Sequence, residues 1–386
     1  MNLAFTDEHE AYRREVAAFL KAHWVDASER DARAFRRLAT QHGYLYRGFP
    51  RRYGGSEQPA DPMKAHIIRE EFDRVRAPRE LGGNGPSILA PTILACGAEW
   101  QKDAFIEKTL SGEYVWAQGY SEPGAGSDLA GVRTSAVLEG DEWVINGQKV
   151  WTSNAHNSNH MFALVRTEPD APKHAGISYL LLRMDQPGVT VRPLKQITGD
   201  SDFNEIFLDN ARTPKDWIVG ERGQGWQVSR ATLVFERNAV GGAEVSAALF
   251  ERLVKLAKTT ELGGRPAIKD PLIRDELVKL HAMVTAHRAA GAHQLNQEAA
   301  GKESTPAGGA MTKLYGSTIT WNIALTAQKI MEDHALGDLV EGAPGPGRWV
   351  KQFMNSIAAQ IGGGTSNVQR NVIAERGLGM PRDNAA

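Results

Sequence analysis

The stretch Gln118-Gly119-Tyr120-Ser121-Glu122-Pro123-Gly124-Ala125-Gly126-Ser127-Asp128 decides how this chain is read. Glycine carries no side chain, so a backbone rich in it can lie close against a ligand. The same Gly-x-Gly spacing also occurs in structural turns, and without a strand leading into a helix it does not specify a Rossmann site. The full string is far more specific than that spacing alone.

Upstream, from Thr6, placed as an N-cap, to about Gly112, apolar residues recur at helical spacing, as in Tyr12, Val16, Phe19 and Leu20. From about Glu113 to Asn210 the pattern shortens to alternation broken by tight turns. Gly140-Asp141 and Asn146-Gly147 punctuate Val137-Leu138, Trp143-Val144-Ile145 and Lys149-Val150-Trp151, and residues 177–182 and 189–191 continue the series. After Pro214 and Gly223-Gln224-Gly225, helical spacing returns over about 226–258, 271–300, 306–334 and 347–375, the last broken by glycines. Short Gly/Pro connections such as 262–266 and 342–346 separate some of these runs, so the helices pack as antiparallel neighbours. The expected fold class is α+β multidomain: an N-terminal helical domain over 1–112, a middle β-barrel or sandwich over 113–222 and a C-terminal four-helix bundle over 223–386.

Composition narrows the function classes. With 386 residues, 41% apolar and 24% charged side chains, the chain can bury a sizeable core. Its net charge of -1, with cations spread along the chain, offers no footprint for nucleic acid or an anionic membrane. The only cysteine, Cys96, excludes an intrachain disulfide and a multi-cysteine metal set, and fits a reducing compartment. No apolar run is long enough for membrane insertion, and the N-terminus lacks a basic-then-apolar leader, so a cytoplasmic location is expected. The histidines, His281 and His287 among them, show no metal-ligand spacing.

Three further stretches could carry chemistry. Asn146-Gly147-Gln148-Lys149-Val150-Trp151-Thr152-Ser153-Asn154 reads either as a ligand-facing segment or as a hairpin followed by a buried tryptophan. Gly362-Gly363-Gly364-Thr365-Ser366-Asn367 precedes a helical run whose unpaired N–H groups suit a pyrophosphate, and it equally suits a hinge before a terminal helix. Leu233-Val234-Phe235-Glu236-Arg237-Asn238 places an acid beside a base on a helix, where neighbours do not face each other and are commonly solvent-exposed.

Taken together, these stretches resemble the acyl-CoA dehydrogenases, flavoenzymes that remove hydrogen from the α and β carbons of an acyl thioester, over nearly the whole chain. The resemblance implies FAD as cofactor, contacted by Gln118, Tyr120, Ser121 and Ser127 in the first stretch, Trp151, Thr152 and Ser153 in the second, and Thr365 and Asn367 in the third. Ser127 also falls where the family lines its acyl-CoA substrate. Such a reaction needs a base for the α proton and a flavin, through N5, to accept hydride from the β carbon across the substrate. A carboxylate in a dry pocket suits the base, because desolvation raises its pKa. Many members place that glutamate directly before the Gly-Thr of the last segment, where this chain has Gly363. A smaller group carries it on an earlier helix before an arginine, which Glu236-Arg237 matches, so Glu236 is the expected base and Arg237 the residue positioning it or the substrate.

One departure concerns assembly. Many relatives reach a neighbouring subunit's cofactor with an Arg-x-x-Phe-Gly element, whereas this chain has Thr260-Glu261-Leu262-Gly263-Gly264-Arg265-Pro266. The later Gly-Gly flavin element is also altered, to Gln328-Lys329-Ile330-Met331-Glu332. Similar erosion accompanies relatives that pair two unlike chains, so a homotetramer or a heterotetramer is implied, with an electron-transferring flavoprotein as acceptor. Two other readings stay open: a subunit with an incomplete flavin site of its own, and an oxygen-reactive oxidase or hydroxylase of the same fold.

Overall fold

A computed structural model describes residues 6–27, 29–239, 243–299, 305–335 and 346–382. The chain forms two compact units, one of residues Asn2–Gln196 with Ser201–Glu236, the other of Ile197–Asp200 with Arg237–Ala386.

The first unit opens with helices α1 (Asp7–Leu20), α2 (Ala32–Gln41), α3 (Pro62–Arg74), α4 (Ala90–Cys96) and α5 (Glu99–Leu110). Thr6 caps α1 by accepting the His9 N–H at 3.4 Å, as its position before the periodic run predicts. The helical spacing buries Val16, Phe19 and Leu20 on α1 against Phe35 and Ala39 of α2 and Ile68 and Phe72 of α3.

Strands follow: β1 (Trp116–Gly119), β2 (Ser135–Glu139), β3 (Glu142–Ser153), β4 (His160–Arg166), β5 (Ile177–Arg183), β6 (Val189–Leu194) and β7 (Phe203–Pro214). They form one mixed seven-stranded sheet in the order β1-β4-β2-β3-β7-β6, with β5 beside β4. β4 is buried on both faces: Phe162 and Leu164 join the core shared with the helices, while Met161, Ala163 and Val165 join Trp143, Ile145 and Leu180 on the other side. A strand covered twice reads as a continuous apolar run, which is the sequence of β4.

Gly140-Asp141 turns β2 into β3, as expected, but Asn146-Gly147 makes no turn. β3 runs straight through it with a register shift against β7 between Ile145 and Gly147. Gly147 takes φ +154°, and a Cβ there would lie 2.5 Å from the Thr134 hydroxyl, so the close approach of Thr134 demands glycine. A dipeptide typical of hairpins thus serves a β-bulge.

α6 (Gly225–Ala239) leaves the sheet, and the boundary between the units falls inside it, between Glu236 and Arg237. The helical spacing expected over 226–258 is filled by α6 and by α7 (Ala243–Thr259), with residues 240–242 outside the described residues. The second unit continues with the short strands β8 (Glu261–Leu262) and β9 (Arg265–Pro266), then α8 (Pro271–Ala299), α9 (Pro306–Met331), α10 (Pro346–Ala359) and α11 (Ser366–Val372). α7 through α10 pack as a bundle around α9, whose Ile319, Ile323, Ala327 and Ile330 meet Leu249 and Leu253 of α7 and Leu277 and Leu280 of α8. Where the family's intersubunit element would lie, β8 and β9 pair through Gly263 (φ +59°) and Gly264 (φ +76°). Two successive left-handed residues make the tight hairpin that glycine permits. Among the described residues no helix is long and apolar enough to cross a membrane.

Candidate active site

Within the first unit, two of the candidate stretches are brought together. β1 ends at Gly119, and the chain turns tightly where Glu122 and Ala125 exchange backbone hydrogen bonds of 2.9 and 3.0 Å. The Ser121 carbonyl accepts the Val150 N–H at 2.9 Å, which fastens the first stretch to the residue before Trp151. Tyr120 is buried, Gln118 and Ser121 are partly covered, and Ser127 is exposed. Gly124 and Gly126 face open space, with no atom within 4 Å of an added Cβ.

The latch beneath this turn is a buried ion pair. Lys149 has no exposed surface; its ammonium donates to Glu122 Oε1 at 2.7 Å, the Leu164 carbonyl at 2.6 Å and the Tyr120 carbonyl at 3.3 Å. Glu122 also accepts the Arg133 N–H at 2.6 Å and the Thr134 N–H at 2.9 Å. Burial alone would push the Glu122 carboxyl up, but the Lys149 charge and these N–H donors outweigh it and hold the pKa below the ordinary range. Burial pushes Lys149 down to about 8, against the pull of Glu122. Three carbonyl or carboxylate acceptors converge on one ammonium, so both stretches are fixed from within the protein.

Trp151 and Thr152 follow at a second irregularity of β3, between Lys149 and Thr152. Trp151 adopts φ +59° and leaves 62% of its surface exposed, with its ring edge-on to Phe203 at 6.2 Å. A left-handed backbone is strained for a bulky residue, and strain of this kind collects where a side chain must be aimed. Thr152 is 1% exposed, and its hydroxyl has no hydrogen-bond partner within the protein. An orphaned buried hydroxyl costs about 1–3 kcal/mol and calls for a partner from outside the chain. Ser153 is partly covered. An open aromatic face, an unsatisfied hydroxyl and a bare glycine turn fit a flat heterocycle that carries hydrogen-bonding edges.

The third stretch belongs to the second unit. Thr365 caps α11 by accepting the Val368 N–H at 3.2 Å, and Asn367 accepts from Arg370 at 3.1 Å. Both side chains are therefore engaged internally. The loop before them is held by Gln369, which donates to the Gly363 and Gly364 carbonyls at 3.1 and 3.3 Å, and by Lys313, which donates to the Gly364 carbonyl at 2.7 Å. Lys313 is 2% exposed, and no carboxylate among the described residues pairs with it; burial pushes its pKa down. α11 is seven residues long, and the helical run expected to reach Arg376 loosens into a π turn over Ile373–Gly377.

Glu236 and Arg237 stand on the backbone of α6 near its end, and their side chains lie outside the described residues. Lys149, Glu122 and Lys313 escaped the sequence reading. Glu122 stood inside the first stretch without a role, and an acid among glycines was the one signal that could have prompted a search for its cation.

The chain matches three family models in register along its length: the acyl-CoA dehydrogenase N-terminal domain over residues 6–113, the middle domain over 117–211 and the C-terminal domain over 223–378. It is 39% identical to the acyl-CoA dehydrogenase IpdE1 of Mycobacterium tuberculosis over 361 residues, covering 92% of this chain and 89% of the relative. Among solved structures, the ChsE4-ChsE5 complex from Mycobacterium tuberculosis superimposes with a TM-score of 0.80 at 28% identity, over 99% of this chain and 100% of the other. The Tcur3481-Tcur3483 steroid ACAD gives the same TM-score of 0.80, 28% identity and 99% and 100% coverage. Helices, mixed sheet and helical bundle follow one another as those models require, and with this likeness over nearly its full length the chain is an enzyme of the acyl-CoA dehydrogenase family.

Proposed function

We propose that this chain catalyses α,β-dehydrogenation of an acyl-CoA thioester with FAD as cofactor and Glu236 as the base. The observation that carries the reading is the unpartnered Thr152 hydroxyl beside the outward-facing Trp151 ring, on a strand tied to the Ser121 turn. FAD, when bound, supplies the acceptor for the β-hydrogen and its electron pair. Gln118, Tyr120, Ser121, Ser127, Trp151, Thr152 and Ser153 would hold it in the first unit, and Thr365 and Asn367 in the second. Trp151 offers the ring a flat apolar face, and Thr152 offers its hydroxyl to a polar edge.

Glu236 takes the α proton, and Arg237, which follows it on α6, orients the carboxylate or the substrate. Ser127 lies toward the acyl-CoA. A base confined away from water gains strength as its charged form is desolvated. An electron-transferring flavoprotein is the acceptor that fits the family. The relative described as a steroid ACAD favours a ring-bearing or branched acyl group here.

The β8–β9 hairpin favours a second reading of assembly. Its two glycines offer no side chain to a neighbour's cofactor, and the two solved relatives above are each named for a pair of unlike chains. On that reading the chain is one subunit of a heterotetramer and completes its flavin site with a partner.

Purification separates the two. A yellow chain bleached anaerobically by a panel of acyl-CoA esters supports the complete enzyme. A colourless chain that gains flavin only when co-expressed with a partner supports the second. Glu236→Gln keeps the flavin absorbance and slows bleaching by about 10²–10⁴-fold, the usual worth of a general base. Unchanged bleaching in that variant removes Glu236 from the reaction.

A further inference from the structure

α2 presents Arg33, Arg36, Arg37, Thr40 and Gln41 at helical spacing on one face, opposite the Phe35 and Ala39 that enter the core. This face borders an open cleft of about 700 Å³, lined on its other sides by Arg51, the Gly54-Gly55-Ser56 turn and the end of α5. All of it lies inside the first unit.

Lys108 and Glu113 on the rim lie 3.6 Å apart and offset each other. Of the four guanidinium groups beside them, Arg33 and Arg37 feel the Asp31 carboxylate at the start of α2, and Glu57 accepts the Arg51 N–H at 3.3 Å. Among the described residues, Arg33, Arg36, Arg37 and Arg51 have no carboxylate within ion-pair distance. Arg36 instead fixes its Nε on the Arg79 carbonyl at 2.7 Å, which holds its fork in place. Arg52, one residue from Arg51 and outside the cleft, is by contrast paired with Asp103 and Glu99. Ser56, in the wall, is 2% exposed and its hydroxyl has no hydrogen-bond partner. A solvated arginine face needs no concave wall with an unsatisfied hydroxyl in it.

We infer that this cleft is a binding site for a small anion with two or more phosphoryl groups, separate from the acyl-CoA site. The guanidinium fork matches phosphate oxygens bidentately, Ser56 adds a neutral donor, and the volume is that of a nucleotide-sized ligand. The inference does not depend on the FAD reading.

Calorimetry on the full chain with inorganic pyrophosphate and with ADP tests it. Equal affinity for both identifies a free phosphate site, and preference for ADP identifies a nucleotide site. Arg33→Gln with Arg37→Gln, both exposed and so without effect on the thermal midpoint, weakens binding by about tenfold or more. Ser56→Ala weakens it without altering charge, and Arg52→Gln leaves it unchanged. The inference is overturned if neither anion binds, if Arg52→Gln weakens binding as much as the pair does, or if Arg33→Gln with Arg37→Gln leaves binding unchanged.

Discussion

Two buried lysines hold the glycine-rich stretches of this enzyme, and they do so in different company. Lys149 ties Tyr120 and Leu164 carbonyls together with Glu122 as counter-ion, whereas Lys313 holds the Gly364 carbonyl with no described carboxylate beside it. Position alone would make the two equivalent. The surrounding charge makes them opposites: removing Lys149 strands a buried carboxylate, while removing Lys313 frees the protein from burying a lone ammonium.

The largest effect that can break this contrast is on stability. Lys149→Met should destabilise the fold by about 3–5 kcal/mol, the usual cost of leaving one half of a buried pair unpaired. Denaturant titration measures it, and a loss below about 1 kcal/mol would mean that Glu122 finds another partner.

A pH series sharpens the same point. The Glu122 pKa is held below its unfolded value of 4.5, so its contribution is fully present above that pH and is lost as pH falls through the folded pKa. In Lys149→Met the largest opposing influence is gone and burial raises the carboxyl instead. The gap between wild type and variant is therefore widest near neutrality and narrows below about pH 5; a constant gap would show that the charge of Glu122 is irrelevant.

Lys313→Met gives the smallest change, within about 1 kcal/mol of wild type, because a lost hydrogen bond is offset by relief of an unpaired buried charge. Thermal unfolding checks it, and a loss as large as that at Lys149 would dissolve the contrast.

Much of this was legible in sequence where the cause is local. Thr6 as a cap, the apolar face of α1 and the alternation at the start of β6 all arise from residues close together in the chain. The failures have distant causes. Asn146-Gly147 looks like a turn because its neighbours alternate on both sides; only pairing with β7, some sixty residues on, turns it into a bulge. Lys149 stands in a strand where a lysine ordinarily faces water, and its burial is imposed by Glu122 and Leu164 from other elements. The site was readable as motifs, since each cofactor segment is contiguous. The braces behind those segments were not, since they come from three-dimensional neighbours.

The glycines of the sheet unit differ in what they would record over evolutionary time. At Gly147 a methyl group would strike Thr134, so a descendant retaining this scaffold would keep that position bare even after abandoning catalysis. Gly124 and Gly126 have empty space where a side chain would go. Nothing in the protein itself would oppose alanine there, and persistence of glycine at those two places in a lineage would testify to a visiting molecule rather than to the architecture.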